Sequence, residues 1–314
     1  MKQQSKIWII LVSLWIINGS SFLAIKVAID TIPPLLSAGI RFIISGAVMF
    51  AAYYFLQKKG HHPPEHIGKR QWRDTLILGI TLFLGGQGLL AWGAQYLSSG
   101  ITGLLNSTIP LWVAILALLI FRKRLTKLMI MGLGLGFGGL MLLVAPSLGN
   151  GSLSLIGTVA LIISSVSWAL GSLYSSKAHL PVSILASSGM LMLVGGIIIT
   201  IVSTALGESH NLQLSQISAR SLAALIFLIT INSMVAFTDF YWLLRVTTPS
   251  LANTFAYVSP VIAVILGWAI LKEPLASLTV VAMGVILAGV ALMVTTSSKI
   301  KDKKPSSQQQ KANI

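Results

Sequence analysis

A carboxylate and a guanidinium lie inside long apolar runs of this chain, at Asp239 and Arg41. Charge is costly in such surroundings and is a functional candidate by default. Asp239 sits about 7 Å from the end of its run at about 1.5 Å per residue. It is the only acid read as well within an apolar run, and poor solvation there suits a proton carrier. The structural alternative is an acid in a wet vestibule, paired with Arg245 or a nearby lysine. Arg41 lies about 9 Å from the other end of its own run. There it would attract a carboxylate-bearing ligand or, as a structural group, anchor the helix at an interface beside Asp30, Glu273 or a lipid phosphate. Lys26, three residues from a helix end, can snorkel and reads as structural.

The neutral polar residues suit recognition of a small molecule. Gln87, Asn106, Ser107, Asn232 and Tyr257 each interrupt an apolar run. They would either line a cavity or join helices by hydrogen bonds. Trp15 and Trp168 stand one turn before glycines and are candidates for a cavity wall. Trp92 and Trp242 suit aromatic belts. Pro110 and Pro260 hold the same place in two runs. Proline removes a backbone donor and kinks a helix, so both are read as kinks or hinges beside the cavity.

Enzyme chemistry finds little support. There is no G-x-S-x-G, no H-E-x-x-H and no Walker A motif. An aspartyl enzyme needs two embedded acids. His61, His62 and His66 with Glu65 could hold a metal, but a solvated loop is the simpler reading, so no metal or cofactor is expected. Channel filters of the T-V-G-Y-G kind are missing too. Gly134 to Gly139 fit G-x-G-x-x-G, yet no strand precedes them and no acid follows about 20 residues on. Those glycines read instead as surfaces for close helix packing.

The elements that must position these groups are apolar and long. Of 314 residues, 55% are hydrophobic and 9% charged, with a mean hydropathy of +0.86. Soluble domains carry about 25% charged residues, so this chain could not cover its surface in water. Ten segments approach the roughly 20 residues that span a bilayer: 7–29, 35–56, 75–97, 101–121, 128–145, 155–175, 184–206, 222–244, 250–271 and 278–296. The predicted fold is therefore all-α and membrane-embedded. The net charge of +15 is not read as a nucleic-acid signal, because its placement follows the membrane. All Lys and Arg except Lys26, Arg41, Arg220 and Lys272 fall on one side of the alternating segments. The positive-inside rule puts that side, with both termini, in the cytoplasm of a multi-pass protein of the cytoplasmic membrane. The basic tail, 299–314, would lie against anionic lipid headgroups. There is no cysteine, which excludes disulfides and thiol chemistry. The first apolar run is too long for a signal peptide and reads as an uncleaved helix.

The two halves, 1–146 and 147–298, repeat each other. A shift of 150 residues puts Trp92 on Trp242, Pro110 on Pro260 and Leu125 on Leu275. A shift of 152 puts Gly19–Ser20 on Gly171–Ser172 and Met131–Gly132 on Met283–Gly284. With five segments each, the copies must be inverted in the membrane. This is a common plan of secondary transporters, with the site at the midplane between halves.

Particular residues carry a family resemblance. Trp15, Asn18–Gly19–Ser20–Ser21–Phe22, Lys26, Pro33–Pro34 and Arg41 resemble the opening of an EamA domain. Its end is matched twice: from Leu97–Ser98–Ser99–Gly100 through Pro110 to Arg124–Leu125–Thr126, and from Thr247 through Pro260 to Leu271–Lys272–Glu273–Pro274–Leu275. The chain resembles the ten-helix members of the drug/metabolite transporter superfamily over nearly its whole length. That resemblance implies a basket of two inverted five-helix repeats, with a central cavity lined by helices 1, 3, 4, 6, 8 and 9. It also implies export of amino acids, other small metabolites or drugs. Two departures stand out: Lys123 replaces the acid usual at the end of helix 4, while Glu273 keeps it, and Arg41 has no counterpart in the second half. The resulting expectation is an alternating-access exporter of small amphipathic metabolites, with Asp239 as the candidate proton site. Drug efflux and an uncoupled facilitator are the alternatives. The expected partners are a small-molecule substrate and membrane lipids.

Overall fold

The computed structural model describes residues 3–58, 67–97, 99–121, 126–148, 154–271 and 277–302. Helices and their connections account for the described residues, with no strand among them. The first half contains α1 (Gln3–Ile29), α2 (Pro34–Lys58), α3 (Lys69–Ala94), α4 and α5 (Lys127–Leu148). Helix α4 comes in two pieces, Ser99–Asn106 and Ile109–Phe121. The second half repeats the order with α6 (Leu155–Ser175), α7 (Ile184–Ala205), α8 (Ala219–Val246), a divided α9 (Pro249–Ala252 and Phe255–Leu271) and α10 (Ser277–Asp302). Among the described residues, α1, α2, α3, α6, α7 and α8 are long and apolar enough to cross a bilayer. The divided helices supply only shorter apolar stretches, such as Ile109–Ile120.

Local chemistry sets where the helices start. Pro34 opens α2, a position where its missing N–H is no loss. The hydroxyls of Ser154, Ser183 and Ser218 accept from the first-turn amides Gly157, Ala186 and Ser221 at 3.3, 3.4 and 3.0 Å, each satisfying an orphan donor of its helix.

Two glycine seams hold the halves together, and both obey the 150-residue shift. A Cβ at Gly46 would lie 2.5 Å from Leu193 N, and one at Gly196 would lie 2.7 Å from Ile43 N. Adding 150 to the α2 members, Gly46 and Ile43, gives the α7 members, Gly196 and Leu193, so the contacts are exchanged between α2 and α7. The same holds for α5 and α10. A Cβ at Gly289 would meet Gly136 N at 2.7 Å, and one at Gly139 would meet Ile286 N at 3.0 Å. With no side chain, these positions let backbones approach as close membrane packing requires.

The repeat-equivalent helices α3 and α8 each widen into π-helical turns at midspan, over Gly79–Gly88 and Leu228–Ala236. Such turns loosen backbone hydrogen bonding and recur at functional sites. Neighbouring hydroxyls meet the carbonyls they expose. Ser164 donates to Gly86 O at 2.6 Å, Ser167 to Thr81 O at 2.9 Å and Ser45 to Ile229 O at 3.0 Å. In lipid, irregular backbone survives only where protein groups satisfy it in this way.

Candidate central cavity

The π turns place Gln87 on α3 and Asn232 on α8 at the centre of the bundle. Both face a cavity that Asn18, Asn106 and Trp168 also line, with Phe22, Ile25, Leu90, Ile109 and Phe255. Its polar groups therefore come from α1, α3, α4 and α8, and Trp168 comes from α6. Helix α4 breaks at Ser107–Thr108, immediately after Asn106. Ser107 donates to Gly103 O at 2.7 Å and also to Ala256 O, so the break in α4 is joined to α9. Helix α9 breaks at Asn253–Thr254. There Asn253 Oδ1 accepts from Trp168 Nε1 at 2.8 Å, which fixes the indole at the cavity wall.

Aromatic rings close the cavity towards the end of the bundle that carries the N-terminus of α1. Phe237 and Phe240 line a continuation of the cavity with Leu14, Asn18 and Trp168. Their ring centroids lie 5.8 and 5.2 Å from that of Trp168. Phe83 stacks on Phe237 at 5.3 Å, and Phe42 meets Phe83 edge-on at 4.7 Å. The other end is closed by a buried cluster of Phe22, Ile25, Ala28, Leu90, Leu97, Leu161 and Leu228. Between these closures the cavity measures about 20 Å³, room for roughly one water.

The remaining sequence candidates fall elsewhere. Arg41 is buried at 3% exposure rather than held at an interface. Its Nη2 donates to Gln87 Oε1 at 3.0 Å, and its guanidinium lies 4.1 Å from the centroid of the Phe42 ring. It forms no ion pair among the described residues, and Glu273 lies outside them. It therefore acts behind Gln87, holding the amide that faces the cavity. Asp239 is half-buried, and its carboxylate accepts from Ser13 of α1 at 3.1 Å rather than pairing with Arg245. It is not among the residues lining the central cavity. Tyr257 is fully buried, and a Cβ at Gly136 of α5 would lie 3.1 Å from its ring, so it packs on α5. Trp15 packs against the main core and does not line the cavity. Pro110 stands in the first turn after the break in α4, whereas Pro260 lies inside the second piece of α9. His61, His62, Glu65, His66 and Lys123 lie outside the described residues. Lys26 Nζ reaches back to Ala94 O and Leu97 O at 3.1 and 3.4 Å.

A second acid is withdrawn from solvent at the end of a helix. Asp74, in the first turns of α3, has no exposed side-chain surface. Its carboxylate accepts from Arg73 Nη2 at 2.9 Å, Tyr174 Oη at 2.8 Å and His179 N at 2.8 Å, with His179 Nδ1 at 3.1 Å. Tyr174 and His179 belong to the second half, so this carboxylate ties the halves together.

The family can now be read from the whole chain. The EamA-like transporter family matches it twice, over residues 5–145 and 155–295. The chain belongs to the EamA-like transporter family. Among its relatives, the uncharacterized inner membrane transporter YedA of Escherichia coli (strain K12) is 33% identical over 90% of this chain and 89% of its own length. The uncharacterized transporter YoaV of Bacillus subtilis (strain 168) is 24% identical over 94% and 99%. A WAT1-related chloroplastic protein of Arabidopsis thaliana is 26% identical over 91% and 69%. One solved crystal structure, 16% identical, shares the fold at a TM-score of 0.72 over 94% of this chain and 99% of that one. The EamA architecture accounts for what the site looks like: helices of both inverted repeats converge on one midspan cavity. The protein is a membrane transporter of this family.

Proposed function

We propose that this EamA transporter exports small amphipathic metabolites, amino acids or their close relatives, across the cytoplasmic membrane by alternating access. The basic face, which bears Lys58, Lys69, Arg70, Lys127 and Lys177, is taken as cytoplasmic by the positive-inside rule. The observation that carries this reading is the midspan cavity in which Asn18, Gln87, Asn106 and Asn232 converge beside the indole of Trp168. Uncharged amides, with the Ser21 hydroxyl, beside an aromatic wall suit a molecule with both polar ends and an apolar body. Ligand pockets commonly measure about 300–1,000 Å³, so a cavity of about 20 Å³ with both ends closed supports an occluded state. One closure must open for loading and the other for release.

Asp239 is proposed as the proton carrier. It is held by Ser13 of α1, so protonation would alter the contact between α1 and α8, which both line the cavity. Flux into proteoliposomes tests this, using a panel of amino acids, hydrophobic amines and sugars with and without a pH gradient. Wild-type flux should be accelerated by the gradient, and Asp239→Asn should lose that acceleration. Equal, gradient-independent flux in both proteins would remove Asp239 from the mechanism and leave a facilitator.

A further inference from the structure

A cation stands behind the central cavity with no use assigned to it beyond holding Gln87. Arg41 is buried in α2, where a charge without a counter-charge is costly. A guanidinium carries a planar fork of N–H donors that matches a carboxylate. Here Nη2 donates to Gln87 Oε1 at 3.0 Å, and the guanidinium lies 4.1 Å from the centroid of the Phe42 ring. Nε is buried and has no hydrogen-bond partner among the described residues. The ion pairs among those residues join Asp74 to Arg73 and to His179, and neither involves Arg41. Glu208, which reaches the first turn of α2, accepts instead from Leu36 N and Ser203 Oγ, each at 3.0 Å.

Gln87 stands between that guanidinium and the cavity, since it lines both the centre and the narrow continuation. It belongs to the π turn Gly79–Gly88, where backbone hydrogen bonding is loosened. The side chains lining both spaces are uncharged, so none of them neutralises a bound ion. Under the 150-residue shift, Arg41 and Gln87 correspond to Leu191 and Phe237, both buried and apolar. Phe237 shares the narrow continuation with Gln87. One repeat thus supplies a cation-backed amide where the other supplies an aromatic ring.

We infer that Arg41 is the carboxylate-binding group of the central site, and that Gln87 stands in for the carboxylate while the site is closed. The amide oxygen of Gln87 takes the place of one carboxylate oxygen. As the cavity widens, a substrate displaces that amide, and its two oxygens meet Nη2 and Nε side by side. Its apolar body lies against Phe237 and Trp168. One guanidinium balances one negative charge, and the uncharged lining offers nothing for a second. The site therefore takes monocarboxylates and zwitterions, and rejects phosphates and cationic amines. The inference rests on the proposed function, whose substrate class it narrows.

The lack of cysteine in this chain allows a test that needs no known substrate. Ser21→Cys, a near-isosteric change on the cavity wall, is made in an otherwise intact chain in lipid nanodiscs, where both faces meet solvent. It is treated with sulfonatoethyl and trimethylammonioethyl methanethiosulfonates, the sulfonate standing in for the carboxylate. Each rate is divided by that of the same reagent with free β-mercaptoethanol. The corrected rates should favour the anion about 10-fold, as a unit positive charge beside a poorly solvated site requires. Adding Arg41→Gln should abolish this preference. It should change the ratio at Trp72→Cys, exposed and outside the cavity, by less than about 2-fold.

Gln87 variants separate an anchor from a prop. Gln87→Glu keeps the shape and supplies an internal carboxylate, so it should abolish the preference even if Arg41→Gln fails to fold. Gln87→Leu removes the stand-in and leaves the charge, so it should keep the preference or raise it. If Arg41 only propped Gln87, Gln87→Leu would lower the ratio as far as Arg41→Gln does. That result, or a ratio that neither Arg41→Gln nor Gln87→Glu moves, would overturn the anchor. No reaction at Ser21→Cys with either reagent would overturn alternating access itself, and the anchor with it. The ratio is read without flux, so a failed anchor leaves the export reading to the proteoliposome assay.

Discussion

The end of α1 and the α6–α7 connection occupy equivalent places in the two halves, and both bridge α3 and α8. They do so with different chemistry. At the basic end, Asp74 of α3 holds Tyr174 and His179, while Arg245 of α8 holds the carbonyls of Pro181 and Val182. The connection is thus a strap with an ionic group at each end. At the opposite end, Lys26 reaches two carbonyls at the end of α3. Ser221 of α8 donates to Val27 O at 2.7 Å, and Ser218 N donates to Thr31 Oγ1 at 3.3 Å. The plugs differ in the same sense. The basic end is closed by packed aromatic rings with a pocket beyond it, and the opposite end by mostly aliphatic side chains together with Phe22. Under the proposed alternating access the two ends would open in turn, with the inverted repeats supplying one topology and local chemistry setting how firmly each end is shut.

If the ionic strap is the firmer tie, its loss should be the most damaging. Asp74→Ala leaves the Tyr174 hydroxyl and the His179 amide without their acceptor. Unfolding in detergent should show a loss of about 3 kcal/mol, with the exposed Arg73 contributing little of it. Hydrogen exchange over 176–183 should rise. Lys26→Met keeps the apolar stem and removes two carbonyl contacts. It should cost about 1.5 kcal/mol and raise exchange near 94–97 while leaving 176–183 protected. A loss equal to that of Asp74→Ala would erase the proposed difference between the ends. Ser221→Ala removes one hydroxyl-to-carbonyl bond and should cost about 1 kcal/mol, the smallest of the three. A larger loss than that of Lys26→Met would shift the weight of the opposite closure from α3 to α8.

Much of the cavity was legible in the sequence because a polar residue within an apolar run has few inexpensive places to go. Gln87, Asn106 and Asn232 are identified on that ground and Trp168 by its place one turn before a glycine, and the structure brings the four together. Asn18 was visible in the sequence but read only as part of a family signature. Tyr257 was misread for a geometric reason: it lies beyond the break at Asn253–Thr254, where the rotation of the helix restarts and the preceding periodicity no longer predicts its face. The same break explains why Asn253 and Phe255 were missed. Nothing in composition marks the π turns of α3 and α8. Asp74 was overlooked because an acid at the edge of an apolar run looks solvated. Its partner His179 lies 105 positions away, beyond any local pattern. Depth alone leaves Arg41 as either a group that attracts a carboxylate or an interfacial anchor, whereas packing buries it behind Gln87.

The exchange of contacts across the α2–α7 and α5–α10 seams has an ancestral consequence. A surface whose contacts swap under the repeat shift is self-complementary, as in a two-fold dimer. A five-helix chain with a single copy of these glycines could therefore have matched a second molecule inserted upside down, and fusing the two would leave the seam unchanged. Fusion does change what can be buried beside it. Arg41 corresponds to Leu191 in the other half, and both are buried. A homodimer would have had to bury two such guanidiniums, whereas the fused chain buries one and sets it against a single glutamine.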